Sequence, residues 1–322
     1  MPTNALALYE SLFKGIIANE TLQKLQYRKN NHKDVILANN QHNKMKAKYI
    51  NPFTDFGFKK IFGEEASKPL LLDFLNALLP QQTKIVDLTF KNTEQLGQTE
   101  IDRKAIYDIY CENVNGEKFI VELQKAKQNY FKERTIYYAT FPIREQAEKG
   151  EWNYNLKAVY CVGILDFTFN DYENEPEKSD VVHTIKLKNQ HGITFYDKLT
   201  YIYLEMPNFK QTEADLKTRL DKWLYFIKHL EDFQTIPAIF KDDVFTQAFE
   251  KAELAKLDQA ELERYENSLK TYRDLKGVID TAFDEGKLEG KIEVARSAKQ
   301  MGLSTADIIK LTALSESEID KL

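Results

Sequence analysis

Several things are scarce in this chain, and each scarcity excludes something. Only two of its 322 residues are cysteine. Cys111 and Cys161 both lie inside apolar, strand-like stretches, so a disulfide framework and a zinc site are excluded and buried thiols are expected. No stretch approaches the roughly 20 consecutive apolar residues that span a bilayer. The first residues also lack the basic start and small-residue cleavage site of a secretory signal. No membrane partner is therefore expected, and the expected location is cytoplasmic. A basic excess is missing too: 45 Lys and Arg stand against 50 Asp and Glu, a net charge of −5. That balance announces no general attraction to nucleic acid, although "KDVILANNQHNKMKAKY" with Lys59 and Lys60 is locally basic.

What is present is enough chain for one large domain or two smaller ones, each with a real core. Residues 1–44 read as a poorly ordered or helical extension, with a short amphipathic helix over Leu6 to Leu25. From Tyr49, "YINPFTDFGFKKIFGEEASKPLLLDFLNALLP" predicts a turn at Asn51-Pro52, a helix capped by Thr54 or Asp55, and a second helix after Pro69. "KIVDLTF" predicts a strand, and "EIDRKAIYDIYC" another that runs into a hairpin. "KQNYFKERTIYYATFPIREQAEKG" has helical length and periodicity. "NLKAVYCVGILDFTF" is a nearly continuous apolar run, the pattern of a strand buried on both faces. Two further strands follow in "VVHTIKLKN" and "LTYIYLEMP". From Gln211 the chain turns helical and ends in a long charged helix and two short helices at "GLSTADI" and "ALSESEI". The division expected is an extension over 1–44, an α/β domain with a mixed sheet over 45–210, and a helical region over 211–322.

The stretch "DIYCENVNGEKFIVELQ", Asp108 to Gln124, carries two carboxylates and an amide in a hairpin whose register decides where they point. A two-residue turn at Asn115-Gly116 would set Asp108 opposite Leu123 and send the carboxylates to opposite faces. A three-residue loop with Gly116 left-handed would pair Asn113 with Glu117 and set Asp108 opposite Glu122. Hydrophobic pattern favours the second. It collects Tyr107, Ile109, Cys111, Phe119, Val121 and Leu123 on one apolar face. Lys104, Ile106, Asp108, Tyr110, Lys118, Ile120, Glu122 and Gln124 fall on the other. Two opposed carboxylates repel unless a proton or a cation lies between them, and a hard divalent ion would resolve the conflict. The competing reading is an edge hairpin that shows its polar face to water.

Taken in order, "NPFTDFGFKKIFG", "YDIYC…FIVELQ", "ERTIYYAT" and the tail "EGKLEGKIEVARSAKQMGLSTADIIKLTALSESEIDKL" resemble the Rpn-type recombination-promoting nucleases, transposases of the PD-(D/E)XK nuclease superfamily, over about Met45 to Leu322. The resemblance implies a restriction-endonuclease-like α/β core, a mixed β-sheet flanked by helices, with a helical C-terminal region. It also implies a Mg²⁺-dependent endonuclease acting on double-stranded DNA, with Mn²⁺ as a substitute metal. The superfamily's Asp falls on Asp108 and its Glu on Glu122, the two expected metal ligands. The position usually held by Lys falls on Gln124, a departure that removes a cation but is familiar in this branch. Asp55 resembles the helix-borne acidic residue of the family. Lys104, Lys59 or Arg134 could supply the missing charge, and Lys59, Lys60 and Arg134 are the residues expected to meet DNA. The alternative is a degenerate nuclease fold kept as a DNA-binding or protein-interaction module, and the long C-terminal helix suggests a homo-oligomer.

Overall fold

The structure, a computed structural model, describes residues 47–80, 84–95, 105–147, 150–169 and 179–322. The expected extension over 1–44, the helix over Leu6 to Leu25, and Lys104 lie outside the described residues.

The first helix of the described residues is α1 (Asp55–Phe58), which widens without interruption into a π-helical turn, Lys59–Gly63. The sequence predicted one regular helix there. Single π turns set into α-helices recur at functional sites. Thr54 is the N-cap: its hydroxyl oxygen accepts from the Gly57 N–H at 2.9 Å and donates to the Asn51 carbonyl at 2.7 Å. Helix α2 (Lys68–Leu78) begins with Pro69 in its first turn.

Next come β1 (Leu88–Phe90), β2 (Glu94–Gln95), β3 (Ala105–Ile106), β4 (Ile109–Asn113) and β5 (Lys118–Gln124). Helix α3 (Phe131–Arg144) crosses to β6 (Val159–Leu165), and β7 (Val182–Lys188) and β8 (Thr194–Glu205) complete the strands. Six strands form one mixed sheet in the order β1-β4-β5-β6-β8-β7; β5, β6 and β8 are parallel and the remaining pairs antiparallel. β2 and β3 pair separately. β6 is buried along its whole length, as its unbroken apolar run requires. At its centre Gly163 is obligatory, because a Cβ there would stand 2.9 Å from the Tyr203 ring.

Both faces of the sheet are covered. On one, Ile109, Cys111, Phe119, Val121, Leu123, Ile164 and Leu204 pack against α1 and α2, and against Trp223, Phe226, Phe245 and Phe249. Those four aromatics come from α4 (Arg219–His229) and α5 (Asp243–Ala252). On the other, Tyr107, Tyr110, Ile120, Cys161, Tyr201 and Tyr203 pack against Phe131, Ala139 and Phe141 of α3. Both cysteines are free and buried. This is a restriction-endonuclease-like α/β fold with a helical C-terminal region.

The 42-residue α6 (Gln259–Gln300) contributes Tyr265 and Tyr272 to the first face, then continues as a largely exposed rod. Its end packs with α7 (Thr305–Thr312) and α8 (Glu316–Asp320) around Ala295, Ala298, Ile308, Leu314 and Ile319. Among the described residues no helix is long and apolar enough to cross a membrane.

Candidate active site

The hairpin has the second of the two registers. Ile109 faces Val121, Cys111 faces Phe119, and the Asn113 N–H donates to the Glu117 carbonyl at 3.0 Å. Gly116 closes the loop at φ +78°, a left-handed conformation glycine adopts without strain. Continuing this register sets Asp108 across from Glu122.

Two expectations about this hairpin are corrected. It is not at an edge, since β1 flanks β4 and β6 flanks β5. Nor is "AIYDIYC" one strand: it breaks at Tyr107 and Asp108, because side chains there take over the ladder's hydrogen bonds. The Asp108 carboxylate accepts the Leu123 N–H at 2.7 Å, and the Glu122 carboxylate accepts the Asp108 N–H at 3.3 Å. The break rotates Tyr107 away from Ile109 and onto the α3 face, where its hydroxyl donates to the Tyr138 carbonyl at 2.9 Å.

Both carboxylates are half-buried. Burial raises the Asp108 pKa; the Leu123 N–H bond and the charges of Lys59 and Lys125 pull it back, and Asp55 pushes it up. Burial pushes Glu122 further, to about 8, with the Asp108 charge adding to the rise and Arg134 and Lys59 opposing it. At neutral pH the pair therefore holds a proton that a cation could replace. Glu122 also lines a cavity of about 20 Å³, room for one water, against Thr135, Tyr138, Cys161 and Tyr203.

The helical turn after Asn51 aims Asp55 and Lys59 at this pair. They form an ion pair at 2.9 Å and both act electrostatically on Asp108. They also line a cleft of about 400 Å³ with Lys60, Arg264 and Ser268. Lys60 itself points to the long helix, paired with Glu261 at 2.5 Å and Glu64 at 3.3 Å.

Gln124 is buried and committed at both ends. Its amide donates to the Ala126 carbonyl at 2.9 Å, and its oxygen accepts from Arg134. Arg134 also donates to Gln128, and its guanidinium lies over the rings of Phe131 and Tyr138 at 5.4 and 5.8 Å. Its Nε–H is buried without an acceptor among the described residues. Gln124 is thus a brace that joins the end of β5 to α3.

One residue of the cluster escaped the sequence. Lys125, half-buried, stands within electrostatic reach of Asp55, Asp108 and Lys59. Its adjacency to Gln124 was the available signal, but strand alternation assigns it to the opposite face from Glu122.

No three or more His, Cys, Asp or Glu side chains among the described residues are grouped to hold one ion. A cation between Asp108 and Glu122 would have two protein carboxylates and would fill its shell with water and a substrate oxygen. That donor set, all oxygen and sparse in protein ligands, fits Mg²⁺.

A mixed sheet with two acidic residues at the ends of adjacent strands, flanked by helices, defines a nuclease-like class of protein. Residues 52–282, most of the chain, match the model of the PD-(D/E)XK nuclease family transposases, and the chain belongs to that family. No curated protein and no solved structure matches it.

Proposed function

We propose that this protein is a Mg²⁺-dependent endonuclease that hydrolyses phosphodiester bonds in double-stranded DNA, of the Rpn recombination-promoting type. The observation that carries the reading is the Asp108–Glu122 pair, two carboxylates held face to face in a break in the sheet. Bound there, Mg²⁺ would supply an activated water and stabilise the charge that builds on the phosphate. Asp108 and Glu122 would hold it, and the proton shared by the metal-free pair would leave as it binds. Asp55 and Lys59, whose charges act on Asp108, also line a cleft and would set the approach of the DNA backbone. Arg134 and Gln124 fix the end of β5, so that Glu122 keeps its place opposite Asp108.

A second reading, a DNA-binding or protein-interaction module without catalysis, is favoured by one observation: Gln124 brings no charge and is fully engaged in bracing the fold. Incubation with supercoiled plasmid separates the two. The endonuclease reading expects relaxed and linear product with Mg²⁺, and with Mn²⁺ in its place, and none with EDTA. DNA retained uncut under every metal supports the module.

A further inference from the structure

A phosphodiester reaching the Asp108–Glu122 pair brings its own negative charge to two carboxylates, so the site needs a cation that is not already occupied. Lys59 is paired with Asp55 at 2.9 Å. Lys60 is paired with Glu64 and Glu261. Arg134 is spent on Gln124 and Gln128 and is held over two aromatic rings. Lys125 differs from all three, because it makes no hydrogen bond or ion pair with another described residue.

Its position follows from how β5 ends. The strand stops at Gln124, and the Gln124 amide reaches over Lys125 to the Ala126 carbonyl at 2.9 Å, closing a turn about it. Alternation puts Lys125 on the side of Leu123, the side on which α1 packs. Asp55 of α1 and Lys59 of the π turn that follows it act on Lys125, and Asp55 and Asp108 are the acidic groups whose charges it feels most. Glu122, Gln124 and Arg134 lie on the α3 side. The carboxylate pair therefore feels two cations, the braced Arg134 acting on Glu122 and Lys125, unpaired among the described residues, acting on Asp108.

We propose that Lys125 is the phosphate-binding cation of this site, donating to a non-bridging oxygen of the phosphodiester held at Asp108 and Glu122. The proposal rests on the nuclease reading for the identity of the ligand. A half-buried ammonium without an acceptor among the described residues is satisfied by an arriving anion, and an oxygen that gains charge during reaction is held more tightly than the ground-state oxygen.

The test has two arms. In the first, Mg²⁺-dependent plasmid cleavage is compared for wild type, Lys125→Met, Lys125→Arg and, as a control, the exposed Lys127→Met. Lys125→Met should slow cleavage on the order of 100-fold, Lys125→Arg should recover much of the loss, and Lys127→Met should cut like wild type. In the second, binding of a fluorescent duplex without metal is followed by anisotropy against salt, in an Asp108→Asn background. Adding Lys125→Met should make the slope of log affinity against log salt shallower by about one. Lys125→Gln serves in both arms should the methionine variant melt early. Wild-type cleavage rate in the variant, or an unchanged salt slope, overturns the proposal. Failure of the wild type to cut overturns the nuclease reading instead, and the salt slope alone then decides whether Lys125 binds phosphate.

Discussion

Asp108 and Glu122 are joined through the backbone rather than through each other's charges. The Asp108 N–H donates to Glu122 at 3.3 Å while the Asp108 carboxylate holds the N–H of Leu123, the residue after Glu122. The two acids are locked into proximity by bonds that do not relieve their repulsion. A proton or a metal must do that.

This gives a pH dependence whose direction is fixed. Glu122 is raised from 4.5 to about 8 in the folded protein, so it stabilises the metal-free fold fully below pH 4.5, and that contribution is lost as pH rises toward 8. Glu122→Gln should gain stability over wild type progressively across this window, by about a few kcal/mol at its upper end, read as a rising difference in melting temperature. Saturating Mg²⁺ should shrink the difference. Parallel melting curves for the two proteins at pH 5 and pH 8 would contradict it.

Asp55 offers a contrasting case, since its pair with Lys59 is exposed and such pairs contribute little to stability. Asp55→Asn should leave the melting temperature within about 2 °C of wild type and slow plasmid cleavage on the order of tenfold, because the carboxylate that borders Asp108 is gone. A large fall in stability with cleavage intact would make Asp55 a structural residue.

Gln124→Lys tests the brace. A lysine there would face the Arg134 guanidinium without an acceptor to offer it, in a position that is 8 % exposed. Loss of that bond and the new like-charge contact should cost about 1–3 kcal/mol, read as a lower midpoint in urea with unchanged slope. An equal or higher midpoint would show that the site tolerates the ammonium there.

The tail makes a separate prediction. Leu275, Val278, Ile279 and Phe283 are exposed along α6, Phe283 by 68 %, a stripe that a rod of this length would bury against a partner. Phe283→Glu should lower the mass seen by sedimentation relative to the full wild-type chain. Equal monomer masses for both would remove the idea that this helix assembles the protein.

Much of the fold could be read in the sequence because its signals are local. The continuous apolar run of β6, the Asn-Gly hairpin loop and the Thr54 cap each name their own structure. The hairpin's register was also legible, since only one loop length gathers Ile109, Cys111, Phe119, Val121 and Leu123 on one face. Where sequence reasoning failed, a side chain had replaced backbone. The carboxylates of Asp108 and Glu122 end the ladder early and turn Tyr107 over, and nothing in a period-two pattern records that. The bracing role of Gln124 was hidden because its partner, Arg134, is ten positions away on another element. Lys125 carries no signal of its own in the sequence: alternation puts it on the other face from Glu122, and its electrostatic tie to Asp55 and Asp108 depends on elements far away in the chain.

Plasmid cleavage by Asp108→Asn bears most directly on the assignment of the pair. Asparagine keeps an oxygen for the Leu123 N–H and removes only the charge that faces Glu122. If the pair holds Mg²⁺, this variant loses cleavage by several orders of magnitude, melts higher than wild type without metal at pH 8, and no longer responds to Mg²⁺ in its melting temperature. Cleavage at the wild-type rate under Mg²⁺, with the wild-type melting response to the metal, would contradict the assignment of Asp108 and Glu122 as the catalytic pair.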